Sequence, residues 1–244
     1  MDSGYYAACA GLRARTQALD LMAGNLANAQ TSGYRSQGSI FQSLLAARTP
    51  SSLPALNRAV NEFGVLGRSV LDLTPGNLEH TGGPLDLAVE GPGFFAVQAG
   101  TGVFYTRNGG FRVSARGQLV TADGNPVLGD QGPLQLPGGK VAIGPDGTVS
   151  VNGANAGKLR VAEFVPGTAL QAEGGSYYSA PAGAARAATA SSVRQGMLES
   201  SNVNAVGAAV ALITVQREAE MLQRALSLFH SEFQRIAAQD LPRV

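Results

Sequence analysis

Residues 212–236 read LITVQREAEMLQRALSLFHSEFQRI. Within them Leu212, Val215, Ala219, Leu222, Leu226, Phe229, Phe233 and Ile236 recur at intervals of 3, 4, 3, 4, 3, 4 and 3 residues. Such an alternation winds one apolar seam along an α-helix and keeps it turned toward a single partner. No glycine or proline interrupts the stretch. Asn202 or Asn204 offers a capping side chain ahead of it, and Pro242 lies beyond its end. The seam predicts a long C-terminal helix with a narrow stripe, packed in coiled-coil fashion within or between chains.

The opposite end of the chain repeats the pattern more weakly. Ala8, Leu12, Leu19, Met22 and Leu26 follow helical spacing, with Arg15 in one slot where an apolar residue is expected. Asp2 or Ser3 can cap the start, and Thr31-Ser32-Gly33 ends the pattern with a glycine suited to a left-handed cap or turn. A helix of about 25 residues would run about 40 Å. Gly24 falls inside it and should cost about 1 kcal/mol relative to alanine.

Between the ends the period shortens. Leu85, Leu87 and Val89 alternate with Asp86, Ala88 and Glu90, and Phe94-Phe95-Ala96-Val97 follows the break at Gly91-Pro92-Gly93. Further strand candidates are 103–106, 111–113, 118–120, 141–143, 148–151 and 159–164. Asn108-Gly109, Gly117 and Asp123-Gly124 mark hairpin turns between them. Short strands with Gly-rich turns predict an all-β sandwich or barrel-like module. The fold expected is α+β. Residues 1–47 form the N-terminal helix and a turn, 48–75 an extended linker, and 76–192 an inserted all-β module. Residues 193–244 form a return segment and a C-terminal helix that packs with the N-terminal one in a coiled-coil-like unit.

Composition narrows the function. Charged residues make up only 14% of the 244-residue chain, against ~25% for a typical globular protein. The net charge of +1 makes no electrostatic case for nucleic acid or an anionic membrane. One cysteine and two histidines, His80 and His230, leave no His/Cys metal cluster. No apolar run approaches the ~18 residues of a membrane span, and the N-terminus lacks the basic and apolar regions of a secretory signal.

No catalytic constellation emerges either. Gly91-Pro92-Gly93 begins like a dinucleotide fingerprint, but Ala96 stands at the next expected glycine and no helix pattern follows. Asp123-Gly124-Asn125 and Asp146-Gly147 read as hairpin turns rather than calcium loops. Asp86 and Glu90 read as an exposed strand face rather than a carboxylate pair. The paired tyrosines Tyr5-Tyr6 and Tyr177-Tyr178 fit a core or interface better than a sugar platform. Stripes at both ends with no chemistry between them describe an assembly subunit. The competing reading is a secreted β module that binds or cleaves cell-wall carbohydrate.

Four stretches carry a resemblance to a known family. Residues 19–35, LDLMAGNLANAQTSGYR, resemble the N-terminal signature of bacterial flagellar rod and hook proteins through Asn25, Leu26, Ala27, Asn28, Thr31, Gly33 and Tyr34. Residues 85–95, LDLAVEGPGFF, resemble the family's first β strands through Gly91, Gly93, Phe94 and Phe95. Residues 105–111, YTRNGGF, resemble its next hairpin. Residues 195–203, QGMLESSNV, resemble the approach to its C-terminal helix through Glu199, Ser201, Asn202 and Val203. Gly24 and Gln30 depart from the family pattern, which more often has asparagine there.

The resemblance implies a rod subunit rather than a longer hook subunit, and the proximal type before the distal. It implies self-association and assembly with other rod subunits, and export by the flagellar type III apparatus without a cleaved signal. The product would be a periplasm-spanning helical tube that transmits torque. No cofactor, small-molecule substrate, nucleic acid or direct membrane insertion is expected. Leu12, Leu19, Met22, Leu26, Leu212, Val215, Leu222, Leu226, Phe229, Phe233 and Ile236 would supply the assembly contacts. Narrow stripes need a partner to exclude water, so the ends are expected to order as they assemble.

Overall fold

The computed structural model describes residues 2–42, 65–100 and 102–240. The chain divides into two units. One comprises Met1–Ala27, Gln37–Val70 and Asn204–Val244, and the other Asn28–Ser36 and Leu71–Val203.

The first unit holds one helix from each end of the chain, α1 (Asp2–Ala27) and α2 (Ala205–Asp240). Asn204 opens α2 as its N-cap: its Oδ1 accepts a hydrogen bond from Gly207 N at 3.0 Å, and its carbonyl takes Ala208 N at 2.8 Å. Strands β1 (Gln37–Gln42) and β2 (Val65–Leu71) pair as a two-stranded sheet. Residues 48–64 of the expected linker lie outside the described residues, as do the side chains of Asp2, Ser3, Tyr5, Tyr6, Phe229, His230, Phe233 and Ile236.

The coiled-coil-like helix unit expected from the stripes is overturned. The described chain has one helix at each end and a large β-rich middle. The two helices touch, but among the described residues no paired heptad seam runs between them. On α1 the enclosed residues are Ala14 and Ala18, while Leu12, Leu19, Met22 and Leu26 are only half-buried. On α2, Val215 and Ala219 are buried and Leu212, Leu222 and Leu226 half-buried. A coiled coil seats its large a and d residues in holes of the facing helix. Here three of the four enclosed residues described on the two helices, Ala14, Ala18 and Ala219, are alanines, whose short side chains cannot act as such knobs. Arg15, in the odd slot of the α1 stripe, pairs with Glu218 at 3.1 Å. That pair is more than a third exposed and adds little stability. A second apolar row on α2, Val206, Val210, Ile213, Met221 and Leu228, is exposed.

The second unit is built of short strands. In chain order they are β3 (Leu78–His80), β4 (Leu87–Glu90), β5 (Phe94–Ala99), β6 (Gly102–Thr106), β7 (Arg112–Val113) and β8 (Leu119–Val120). Then come β9 (Leu128–Gly129), β10 (Gly132–Pro133), β11 (Val141–Ile143), β12 (Thr148–Val151), β13 (Ala154–Lys158) and β14 (Val161–Phe164). The last five are β15 (Gln171–Ala172), β16 (Tyr177–Ser179), β17 (Ala185–Ala187), β18 (Ser192–Gln195) and β19 (Met197–Glu199). Six of them form an antiparallel sheet in the order β15-β16-β6-β5-β14-β17. Strands β11, β12 and β13 make a second sheet, and β18 with β4 and β19 with β3 make ribbons.

The run Phe94-Phe95-Ala96-Val97 shows why β5 is apolar throughout. Successive strand residues face opposite sides. Phe95 and Val97 enter one core with Leu87, Val89, Phe111, Leu119 and Val127. Phe94 and Ala96 enter another with Tyr105, Leu128, Ala162 and Tyr178. The central sheet is thus covered on both faces. For the same reason the alternation expected over 85–90 does not hold: Leu87, Ala88 and Val89 are all buried.

Arg107-Asn108-Gly109-Gly110 is not the hairpin turn that its Asn-Gly step suggests. Strand β6 pairs with β5 and β16, and β7 pairs only with β8. The segment instead presses against Leu87, where Gly109 O accepts Leu87 N at 3.0 Å. A β-carbon on Gly109 would lie 1.6 Å from Leu87 O, so glycine is required by proximity alone. Ala115-Arg116-Gly117 does turn β7 into β8, and Asp146-Gly147 turns β11 into β12.

Candidate functional site: an enclosed charge cluster

The motif stretches meet in the second unit around one carboxylate. Glu199 ends β19 with its side chain 1% exposed. Arg35 Nη2 donates to its Oε1 at 2.5 Å and Arg107 Nη1 to its Oε2 at 3.2 Å. The two arginine side chains are 0% and 3% exposed. Gly76 N donates to Glu199 Oε1 at 2.9 Å, and Gly33 N to the Glu199 carbonyl at 2.7 Å. One carboxylate therefore gathers four segments separated by up to 164 positions.

Two guanidiniums against one carboxylate leave an enclosed net charge of +1, so neutral groups carry part of the load. Arg107 donates through Nη1 to Val89 O at 2.9 Å and through Nη2 to Gly91 O at 2.5 Å. Its guanidinium carbon stands 4.8 Å from the centre of the Phe94 ring, a cation–π contact. Burial lowers the Arg107 pKa to about 10; the charge of Glu199 opposes that shift and the charge of Arg35 adds to it. Tyr178, fully buried, accepts Arg35 N at 2.8 Å through its hydroxyl. Burial pushes the Tyr178 pKa up to about 12, against the hydrogen bond from Arg35. Phe94 packs edge-on to Tyr178 and Phe164 at 5.8 and 5.6 Å. Arg35 Nε and Nη1 and Arg107 Nε find no hydrogen-bond partner among the described residues.

A polar clasp lies beside the cluster. Asn202 Oδ1 accepts Ser36 N at 2.7 Å, and its Nδ2 donates to the carbonyls of Asp72 and Thr74, both at 3.0 Å. Its backbone N donates to the carbonyl of buried Tyr34 at 3.4 Å. Asn202 therefore ties residues 34–36 to 72–74, and Asn204 alone caps the helix. Ser201 Oγ accepts Val203 N at 3.2 Å. Gly33 has φ +68°, and a β-carbon there would lie 2.2 Å from the Arg107 carbonyl carbon.

The other motif residues serve local order. Thr31 Oγ1 donates to Asn28 Oδ1 at 3.1 Å, closing the turn after α1. Gly93 N donates to Ser191 Oγ at 2.8 Å. Phe95 lies in the core, 5.1 Å from Phe111. In the first unit, Asn25 bonds Gln37, Leu26 is half-buried and Ala27 exposed.

Arg35 and Arg107 carry no role in the sequence reading, and Tyr178 enters it only as one of a pair of core or interface aromatics. The first two stand inside the quoted motifs, where an arginine beside a turn reads as solvated. Only their position next to the motif aromatics Tyr34, Tyr105 and Phe94 could have hinted otherwise. Tyr178 is enclosed, so the pair Tyr177-Tyr178 offers no open aromatic platform. The enclosed charges present nothing to a substrate; they join segments. Among the described residues no group of acidic, histidine or cysteine side chains could hold a metal, and no helix is long and apolar enough to cross a membrane.

Two family models match parts of the chain. Residues 88–151 match the model described as "Flagellar hook protein FlgE/F/G D1 domain", and residues 194–238 that described as "Flagellar basal body rod FlgEFG protein C-terminal". The flagellar basal-body rod protein FlgF of Caulobacter vibrioides is 32% identical, covering 97% of this chain and 98% of its own. FlgF of Escherichia coli is 32% identical, covering 93% and 94%. The rod protein FlgG of Buchnera aphidicola subsp. Schizaphis graminum is 29% identical, covering 93% and 95%.

Proposed function

The chain belongs to the family of flagellar basal-body rod proteins, and on that premise we propose that it is the proximal-type subunit of the rod. It is a structural subunit of the flagellar basal body. Several relatives at 32–33% identity carry the name FlgF, which supports the proximal position. In this reading the chain reaches the rod through the flagellar type III apparatus without losing a signal peptide. There it joins copies of itself and other rod subunits in a helical tube that transmits torque. It performs no catalysis, binds no nucleic acid or small molecule, and does not insert in the membrane.

The observation that carries the assembly role is the uncovered row on α2. Val206, Val210, Ile213, Met221 and Leu228 are 53–76% exposed on a 36-residue helix. Apolar residues repeated along one exposed face mark a contact surface. A contact that does not close on itself extends into an open helical polymer.

The test is complementation of a strain lacking this gene. Met221→Asp with Leu228→Asp, Leu222→Asp, Phe229→Asp, or removal of residues 1–28 should each abolish incorporation and motility. The β-rich unit should keep its native near-ultraviolet circular dichroism. Normal swimming by these variants would refute the assembly role. Immunogold labelling at the distal end of isolated rods would refute the proximal placement.

A further inference from the structure

We propose that Glu199 is the closing element of the β-rich unit: its cores can pack only once the segment that leads into α2 has docked. The charge balance of the cluster dictates this order. Arg35 and Arg107 lie 164 and 92 positions before Glu199 in the chain. Closing the unit places Arg107 over Phe94, within the core that Phe94 and Tyr178 share, and holds Arg35 fully enclosed. Without Glu199 that closure would bury two cations with no opposing charge, which is far costlier than leaving the unit open. Three guanidinium nitrogens already lack a hydrogen-bond partner among the described residues, so there is no reserve of acceptors to take the carboxylate's place.

Docking of the same segment completes the backbone as well. Gly33 N and Gly76 N bond to Glu199, Ser200 N donates to Asn77 O at 2.8 Å, and β19 pairs with β3. The hairpins between β5 and β14 are local in sequence and could form early. The enclosed charge makes their consolidation wait. A chain that has not yet presented Glu199 holds its β strands open, whatever their own propensity, and the unit closes in one step when the carboxylate arrives.

The test uses the full-length chain, refolded from urea with pulsed hydrogen exchange. Three amides report the cores: Leu87, Ala96 and Gln98, bonded to the carbonyls of Gly109, Arg160 and Pro126. Three report docking: Gly33, Gly76 and Ser200. Both sets should gain protection with one rate constant. In the native protein, Glu199→Gln should speed exchange of both sets by about a hundredfold or more, the scale expected when one partner of a buried ion pair is removed. Adding Arg35→Met to Glu199→Gln should recover about tenfold of that loss, because one stranded cation is gone. Protection of Leu87, Ala96 and Gln98 before Gly76 and Ser200 would overturn the proposal. So would a Glu199→Gln protein loosened only at Gly33, Gly76 and Ser200. Should Glu199→Gln fail to fold, the order of protection in the unaltered chain decides.

Discussion

Asn25 holds the backbone of Gln37 in both directions: its Oδ1 accepts Gln37 N and its Nδ2 donates to Gln37 O, each at 2.8 Å. The side-chain amide thus satisfies both backbone groups of the first residue of β1. Asn25→Asp keeps the acceptor but turns an oxygen toward the Gln37 carbonyl. A cost of about 1–3 kcal/mol is expected for the unmet group. Amide exchange should read it as faster exchange at Gln37 with little change at Ala96. Unaltered protection at Gln37 would contradict this role.

Gly109 has no room for a side chain. Gly109→Ala drives a methyl group into the Leu87 carbonyl, which belongs to a strand that cannot shift without disturbing Val89 and its hydrogen bond to Arg107. A loss of about 3 kcal/mol is expected, the upper part of the range for overpacking. Urea unfolding followed by tyrosine fluorescence would measure it.

Gly24 offers the opposite case. It lies within α1, and a β-carbon there meets nothing within 4 Å. Gly24→Ala should stabilise the helix by about 1 kcal/mol. Helical circular dichroism during thermal unfolding should show a later transition, and an earlier one would count against an open site.

Acid should weaken the second unit in part through Glu163. Partial burial works to raise its pKa, but hydrogen bonds from Ser191 Oγ, Ala190 N and Thr189 prevail and hold it below 4.5. The folded state therefore releases this proton more readily than the unfolded chain. The resulting stability is present above pH 4.5 and disappears as pH falls through the lowered value. Glu163→Gln should flatten the decline in urea midpoint below pH 4.5, and an unchanged slope would exclude the contribution.

Alkali acts on Tyr178 with the other sign. Its folded pKa is raised from 10 to about 12, so the stability it contributes is whole below pH 10 and is lost as pH climbs toward 12. Absorbance titration of the native protein should show one phenol ionising only near pH 12. Tyr178→Phe should remove that late step.

The terminal helices were the most legible part of the fold, α2 above all, because a long uninterrupted 3-4 periodicity marks a helix and little else. Their packing was not legible. Spacing reports which residues share a face but not the size of what meets them, and on α1 it is Ala14 and Ala18 that are enclosed while the larger stripe residues are half-buried. Strand β5 was legible from its apolar run. Strands β15, β17 and β18 lie in or near Ala- and Ser-rich sequence whose strand character comes from pairing partners rather than from its own side chains. Glu199 came into view only through a family resemblance. Its worth depends on Arg35 and Arg107, and no local pattern tells an enclosed arginine from a solvated one.

The chain passes between its two units four times, after residues 27, 36, 70 and 203. That routing decides how the protein could be dissected. A fragment starting at residue 71 and ending at 203 would contain the whole six-stranded sheet, yet it would lack Gly33, Arg35 and Ser36. It would expose Glu199 and Asn202 with half their partners missing. A faithful excision needs residues 28–36 rejoined to residue 71 by a short synthetic bridge, a splice rather than a cut. Any library of truncations that trims from the ends alone will report this unit as less stable than it is.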